Sequence, residues 1–154
     1  MALDVGDSVP PFRLPASSGK EVALTDYKGK KIILYFYPKD DTPGCTAEAC
    51  AFRDNLKNYE DVNAVIIGVS KDPLKSHDKF IEKYSLPFEL ISDEEGKLLD
   101  AFGVWKERSM YGRTFMGVER STFLIDEEGK IVKAWRKVSV PNHVDEVLKE
   151  AQSL

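Results

Sequence analysis

Short, continuous apolar runs alternate along the chain with longer stretches in which apolar residues recur every three or four positions. The run Lys31-Ile-Ile-Leu-Tyr-Phe-Tyr37 carries no charge after its first residue, which predicts a central strand buried on both faces. Ala64-Val-Ile-Ile-Gly-Val69 predicts a second such strand, and Phe88-Glu-Leu-Ile91 a short third. Ser121-Thr-Phe-Leu-Ile125 and Lys130-Ile-Val-Lys-Ala-Trp135 flank Asp126-Glu-Glu-Gly129 and predict a hairpin. Phe12-Arg-Leu14 and Glu21-Val-Ala-Leu24, around Pro15-Ala-Ser-Ser-Gly19, predict another at the amino terminus.

Helical spacing appears between these runs. Ala49, Phe52 and Leu56 share one face of a helix that starts near Thr42 and continues to Asn58. Leu74, His77, Phe80, Ile81 and Tyr84 do the same from Pro73 to Tyr84, Gly96 to Phe102 predicts a short helix, and Asn142 to Ala151 an amphipathic last one. Strand, helix, strand, helix, then a hairpin and a final helix is the order of a thioredoxin-like fold: α/β, a mixed central sheet flanked by helices, with an N-terminal β-hairpin. Gly103 to Arg120 predicts no element, yet Trp105, Tyr111, Arg113 and Phe115 make it rich for a connection. Long loops inside compact domains are often functional.

Composition narrows the class. The 154 residues, 42% apolar and 31% charged, suit one globular domain over 1–154. A net charge of −4 with both signs interspersed gives no electrostatic footprint for nucleic acid or an anionic membrane. No apolar run approaches a membrane span, and Met1-Ala-Leu-Asp-Val-Gly-Asp7 lacks the regions of a signal peptide, so a cytoplasmic protein is expected. There a close cysteine pair points to catalysis or metal binding before structure.

The chain's two cysteines, Cys45 and Cys50, follow the central strand directly. Thr42 suits an N-cap, Pro43 the first helical position, and Gly44 a close approach of backbone to a bound molecule. Cys45 then falls in the first turn, where unpaired N–H groups and the helix dipole favour a thiolate. An unperturbed thiol with a pKa near 8.5 is only about 3% ionised at pH 7, and lowering it two units takes roughly 2.7 kcal/mol. In an intact helix, positions five apart have Cα atoms roughly 8.5 Å apart, whereas a disulfide needs about 7 Å or less. Bridging therefore requires the first turns to unwind, which fits a redox cycle better than a permanent bridge.

Pro38-x-x-x-Thr42-x-x-Cys45 on a strand-to-helix turn, with Arg120 leading Ser-Thr-Phe-Leu-Ile-Asp126, resembles the active site of the peroxiredoxins. Thr42-Pro-Gly-Cys-Thr-Ala-Glu-Ala-Cys50-Ala-Phe-Arg-Asp54, Tyr35-Phe-Tyr-Pro38, Gly103-Val-Trp105 and Tyr111-Gly112 are similar to the peroxiredoxin Q branch, also called bacterioferritin comigratory protein. The resemblance covers nearly the whole chain. It implies an atypical two-cysteine thiol peroxidase that reduces hydrogen peroxide and organic (alkyl) hydroperoxides with no metal, haem or flavin. It also implies that Cys45 is the peroxidatic cysteine and becomes a sulfenic acid. Cys50 would be the resolving cysteine that closes an intramolecular disulfide, and thioredoxin or a similar dithiol would reopen it. Pro38 would shield the sulfur, while Thr42, Arg120 and the N–H groups of Gly44 and Cys45 would hold and polarise the peroxide. A pair within one chain needs no second subunit, so a monomer is expected.

Other readings of the same residues are blander. Cys50, between Ala49 and Ala51, also fits a core cysteine, and Arg120 an ordinary polar residue ahead of a buried strand. Glu48 and Arg53 are expected on a solvated helix face, and Trp105, Tyr111 and Phe115 as cover for the core. His77 and His143 lack zinc-ligand spacing, and the acidic runs at Asp93 and Asp126 precede glycine as turns do. Two further functions could use the cysteine pair: a thioredoxin-type dithiol oxidoreductase, which the spacing and Arg120 disfavour, and a redox sensor or holdase.

Overall fold

The computed structural model describes residues 2–154, the side chains of Ser18 and Met110 aside. Strands β1 (Arg13–Pro15) and β2 (Glu21–Ala23) pair antiparallel as the N-terminal hairpin. β3 (Lys31–Phe36) leads through a loop to α1 (Pro43–Asp54) and α2 (Leu56–Asp61). β4 (Ala64–Ser70), α3 (Leu74–Tyr84), β5 (Glu89–Ser92) and α4 (Lys97–Ala101) follow. β6 (Trp105–Met110) and β7 (Arg113–Val118) form a separate hairpin before β8 (Ser121–Ile125), β9 (Ile131–Trp135) and α5 (His143–Gln152).

The main sheet has the order β5-β4-β3-β8-β9, parallel across β5-β4-β3 and antiparallel across β3-β8-β9. β3 is central, and every residue in it is buried, as its continuous apolar run predicts. Its side chains alternate between two cores. Ile32, Leu34 and Phe36 join Leu98 and Leu99 of α4, and Phe102 just beyond it, on one face. Ile33 and Tyr35, with Tyr37 just past the strand, join Phe52 of α1, Tyr59 of α2, Phe80 of α3 and Val147 of α5 on the other. Each large apolar side chain so buried contributes roughly 1.5–3 kcal/mol.

This second core seats the cysteine helix. Phe52 packs on Tyr35 with ring centroids 4.8 Å apart, and Ala49 and Cys45 lie in the same cluster. α1 therefore begins at the carboxyl end of β3, the edge of an α/β sheet where binding crevices form.

Three local expectations change. The cysteine helix does not run unbroken to Asn58: Asn55 leaves helical geometry, its Nδ2 donates to the Ala51 carbonyl at 2.9 Å, and α2 starts afresh. Residues 103–120 are not an unstructured loop but the β6–β7 hairpin. Its tip, Tyr111 and Gly112, has φ of 53° and 76°, the two positive values of a type I′ turn. Tyr111 and Phe115 do not cover the core either: they are 96% and 45% exposed, while Trp105 does pack against it.

Candidate active site

Thr42 occupies the N-cap of α1 with extended backbone, and Pro43 opens the helix as expected. The hydroxyl, however, makes no cap bond: Thr42 Oγ1 donates to the Lys39 carbonyl at 2.8 Å, closing the turn before the helix. The first N–H groups of α1, including those of Gly44 and Cys45, so remain available at a dipolar helix end.

Cys45 is buried, with 1% of its surface exposed. Arg120, in the link between β7 and β8, reaches it across the sheet edge: Nη2 donates to Cys45 Sγ at 3.4 Å. A Cβ on Gly44 would stand 3.0 Å from that Nη2, so the missing side chain is what lets the guanidinium lie over the helix start. Nη1 of the same guanidinium pairs with Glu48 Oε1 at 2.8 Å.

Glu48 corrects the expectation of a solvated side chain, because it is wholly buried. Cys45, Glu48, Ala49 and Phe52 occupy one inward face of α1 at helical spacing. That spacing was the available signal, a carboxylate on an apolar stripe. Burial pushes its carboxyl up to about 7, against the pull of Arg120. Its Oε2 has no partner among the described residues, which leaves that oxygen as the seat for a proton. Burial opposes the charge on Arg120, but Glu48 and the Cys45 sulfur outweigh it and hold the guanidinium protonated.

His143 lies close enough for this cation to act on it. Burial first, then Arg120, pushes the imidazole down to about 4, so it is neutral at pH 7 beside Thr122 Oγ1, 2.8 Å from Nε2.

Pro38 is exposed and lines, with Arg120, Arg108, Glu107 and Lys137, an open depression of about 410 Å³. Arg53, expected on a solvated face, is partly exposed and binds Asp54 and the Tyr84 carbonyl. Cys50 is half-buried, and α1 is continuous through both cysteines, which are free thiols.

The loop ahead of α1 is held by a buried polar network that sequence reasoning missed. Asp40 accepts from Tyr37 Oη at 2.5 Å and Ser76 Oγ at 2.7 Å, and meets His77 Nδ1 at 2.7 Å. His77 Nε2 faces the Ile91 carbonyl at 2.9 Å, which can only accept, so that nitrogen carries hydrogen. Asp40, Asp72 and His77 bring potential ligand atoms within 4.8 Å of one another. Asp72 Oδ2 is already committed to the Asp40 N–H and Ser70 Oγ, so the set is bonded as a brace and does not fit an open metal site.

A buried cysteine at a helix N-terminus, held by a cross-sheet arginine on a thioredoxin-like sheet, has the surroundings that favour a reactive thiolate. The chain belongs to the AhpC/TSA family, which matches residues 5–134. Within it the similarity is to the peroxiredoxin Q, or Bcp, branch. Peroxiredoxin Bcp of Bacillus subtilis is 52% identical over 154 residues, covering 100% of this chain and 98% of that one. The Xylella fastidiosa PrxQ structure, a cysteine-to-serine mutant, superposes with a TM-score of 0.95 at 41% identity, covering 99% and 98% of the two chains. The bacterioferritin comigratory protein of Xanthomonas campestris, solved in connection with its alkyl peroxide reduction activity, gives 0.90 at 42% identity over 97% and 98%. This protein is a thiol-dependent peroxidase of that branch. Among the described residues no helix is long and apolar enough to cross a membrane.

Proposed function

We propose that Cys45 is the peroxidatic cysteine and Cys50 its resolving partner in an atypical two-cysteine cycle. The contact of Arg120 Nη2 with Cys45 Sγ at the start of α1 carries this reading. The Cys45 thiolate attacks one peroxide oxygen, the S–O bond forms as the O–O bond breaks, and the leaving oxygen takes a proton to depart as water or alcohol. Arg120 and the N–H groups of Gly44 and Cys45 supply donors where negative charge develops on that oxygen. Thr42 Oγ1 spends its own hydrogen on Lys39, so toward a peroxide it can only accept, which orients the peroxide O–H. Pro38 borders the approach and screens the sulfur from bulk water.

The sulfenic acid then meets Cys50. In closed α1 the two Cα atoms are roughly 8.5 Å apart, so the helix must open before the sulfurs join. Two electrons from thioredoxin or a similar dithiol restore both thiols. The substrates are hydrogen peroxide and alkyl hydroperoxides, the second supported by the activity named for the Xanthomonas relative. The chain acts as a monomer, since resolution needs no second subunit, and in the cytoplasm, where thiols are kept reduced.

Coupled oxidation of NADPH through thioredoxin reductase and thioredoxin tests the cycle. Wild type is expected to turn over only with peroxide, Cys45→Ser not at all, and Cys50→Ser for a single turnover. Undiminished cycling by Cys50→Ser would show that Cys50 does not resolve.

A further inference from the structure

Tyr84 fastens both ends of the segment that carries the two cysteines. Its hydroxyl donates to Asp41 Oδ1 at 2.8 Å, and its backbone carbonyl accepts from Arg53 Nη1 at 2.7 Å. Asp41 lies just ahead of α1 and Arg53 is its penultimate residue, so one residue of α3 spans the helix end to end. Lys83 Nζ adds a second hold on Asp41, to Oδ2 at 2.8 Å. Asp41 has a φ of 57°, a left-handed conformation that a non-glycine residue keeps only where its surroundings hold it. The Tyr84 ring packs edge-on to Phe80 at 5.5 Å, which seats the clasp on the second core.

We propose that Tyr84 is a positioning residue for resolution: it clasps the cysteine helix shut, and its release sets how fast Cys50 reaches Cys45. The proposal rests on the reading of Cys45 and Cys50 as the peroxidatic and resolving pair. In the resolving step the Cys50 sulfur bonds to the Cys45 sulfur, the S–O bond breaks, and the sulfenic oxygen leaves as water with the Cys50 proton. While the clasp is closed, the sulfenic acid stays open to a second peroxide. That peroxide would oxidise it to sulfinic acid and itself be reduced to water or alcohol. Tyr84 thus stands at the branch between recycling and overoxidation without touching the peroxide.

Tyr84→Phe keeps the ring and the carbonyl and removes only the hydroxyl, and Arg53→Gln releases the other end. Loss of one partly exposed hydrogen bond to a carboxylate shifts an opening equilibrium by about five-fold. Reduced wild type and both variants are mixed rapidly with hydrogen peroxide, quenched and analysed by mass. The rate of Cys45–Cys50 bond formation, and the peroxide concentration that half-overoxidises Cys45, are each expected to rise about five-fold in Tyr84→Phe and in the same direction in Arg53→Gln. Amide exchange across residues 41–53 quickens in step, while the rate of the first peroxide reaction stays at the wild-type value. A merely structural role would lower thermal stability and leave the partition between disulfide and sulfinic acid where it is. An unchanged or lower partition in either variant overturns the clasp. Wild type that forms no Cys45–Cys50 bond overturns the assignment of the pair as well, so the two failures are distinct.

Discussion

Arg120 donates through Nη2 to the Cys45 sulfur across 3.4 Å, from a position 75 residues further along the chain. The same guanidinium is held through Nη1 by the buried carboxylate of Glu48, one turn into the cysteine helix. Sulfur, cation and carboxylate form one unit: Glu48 fixes the plane of the guanidinium and Gly44 leaves room for its second nitrogen. A fork geometry is required, because two acceptors on different sides are served at once.

Arg120→Lys should therefore fail although it keeps the charge. A single ammonium cannot hold Glu48 and also lie over the sulfur and the leaving oxygen. Second-order reaction with hydrogen peroxide, followed by stopped-flow fluorescence, is expected to slow by about a hundred-fold, the scale of one lost transition-state donor. A rate within a few-fold of wild type would remove Arg120 from the chemistry.

Gly44→Ala separates placement from charge. The added Cβ would lie 3.0 Å from Arg120 Nη2 and 3.8 Å from Cζ, so the tip of a flexible side chain must move. Moving it costs little stability but takes the donor off the sulfur. We expect the peroxide rate to fall by about ten-fold while the thermal midpoint stays near wild type. An unchanged rate would mean that Gly44 does not set the position of Arg120.

Glu48→Gln tests the cost of the buried carboxyl. In the folded chain it is raised from 4.5 to about 7, so below pH 4.5 both states are protonated and nothing is lost. Between those values the unfolded chain gives up the proton and the folded chain retains it, so wild-type stability falls as pH rises. Glutamine keeps an amide oxygen for Arg120 and never ionises. Its advantage in denaturant unfolding under reducing conditions should grow from near zero at acid pH to of order 3 kcal/mol above pH 7. His143, pushed down to about 4, acts in the opposite sense in both proteins, so it largely cancels in the difference. A pH-independent difference would contradict the burial argument.

The strands of the main sheet and the start of the cysteine helix were legible because local pattern and tertiary role agree there. β3 is apolar after Lys31 and buried throughout, and Pro43 opens the helix where it should. The β6–β7 hairpin was hidden because β7 is mostly exposed and lacks the alternation of a half-buried strand. Its Tyr111-Gly112 turn also lacks the usual Asn-Gly or Asp-Gly signal. Glu48 and Asp40 were misread or missed because their partners, Arg120 and His77, lie 72 and 37 residues away and no local rule pairs them. Thr42 was placed correctly, but its hydroxyl turned to Lys39, a choice made by the loop and not by the helix.

The central claim, that Cys45 is oxidised and Cys50 resolves it within one chain, is tested most directly by mass. The fully reduced protein is treated with one equivalent of hydrogen peroxide, its intact mass is measured, and it is digested without reduction. The expected result is a monomer mass lower by two hydrogens and a peptide bridged between Cys45 and Cys50, absent from Cys50→Ser, which retains a sulfenic acid on Cys45. A sulfenic or sulfinic acid on Cys45 of wild type with Cys50 still free, or a disulfide between two chains, would contradict it.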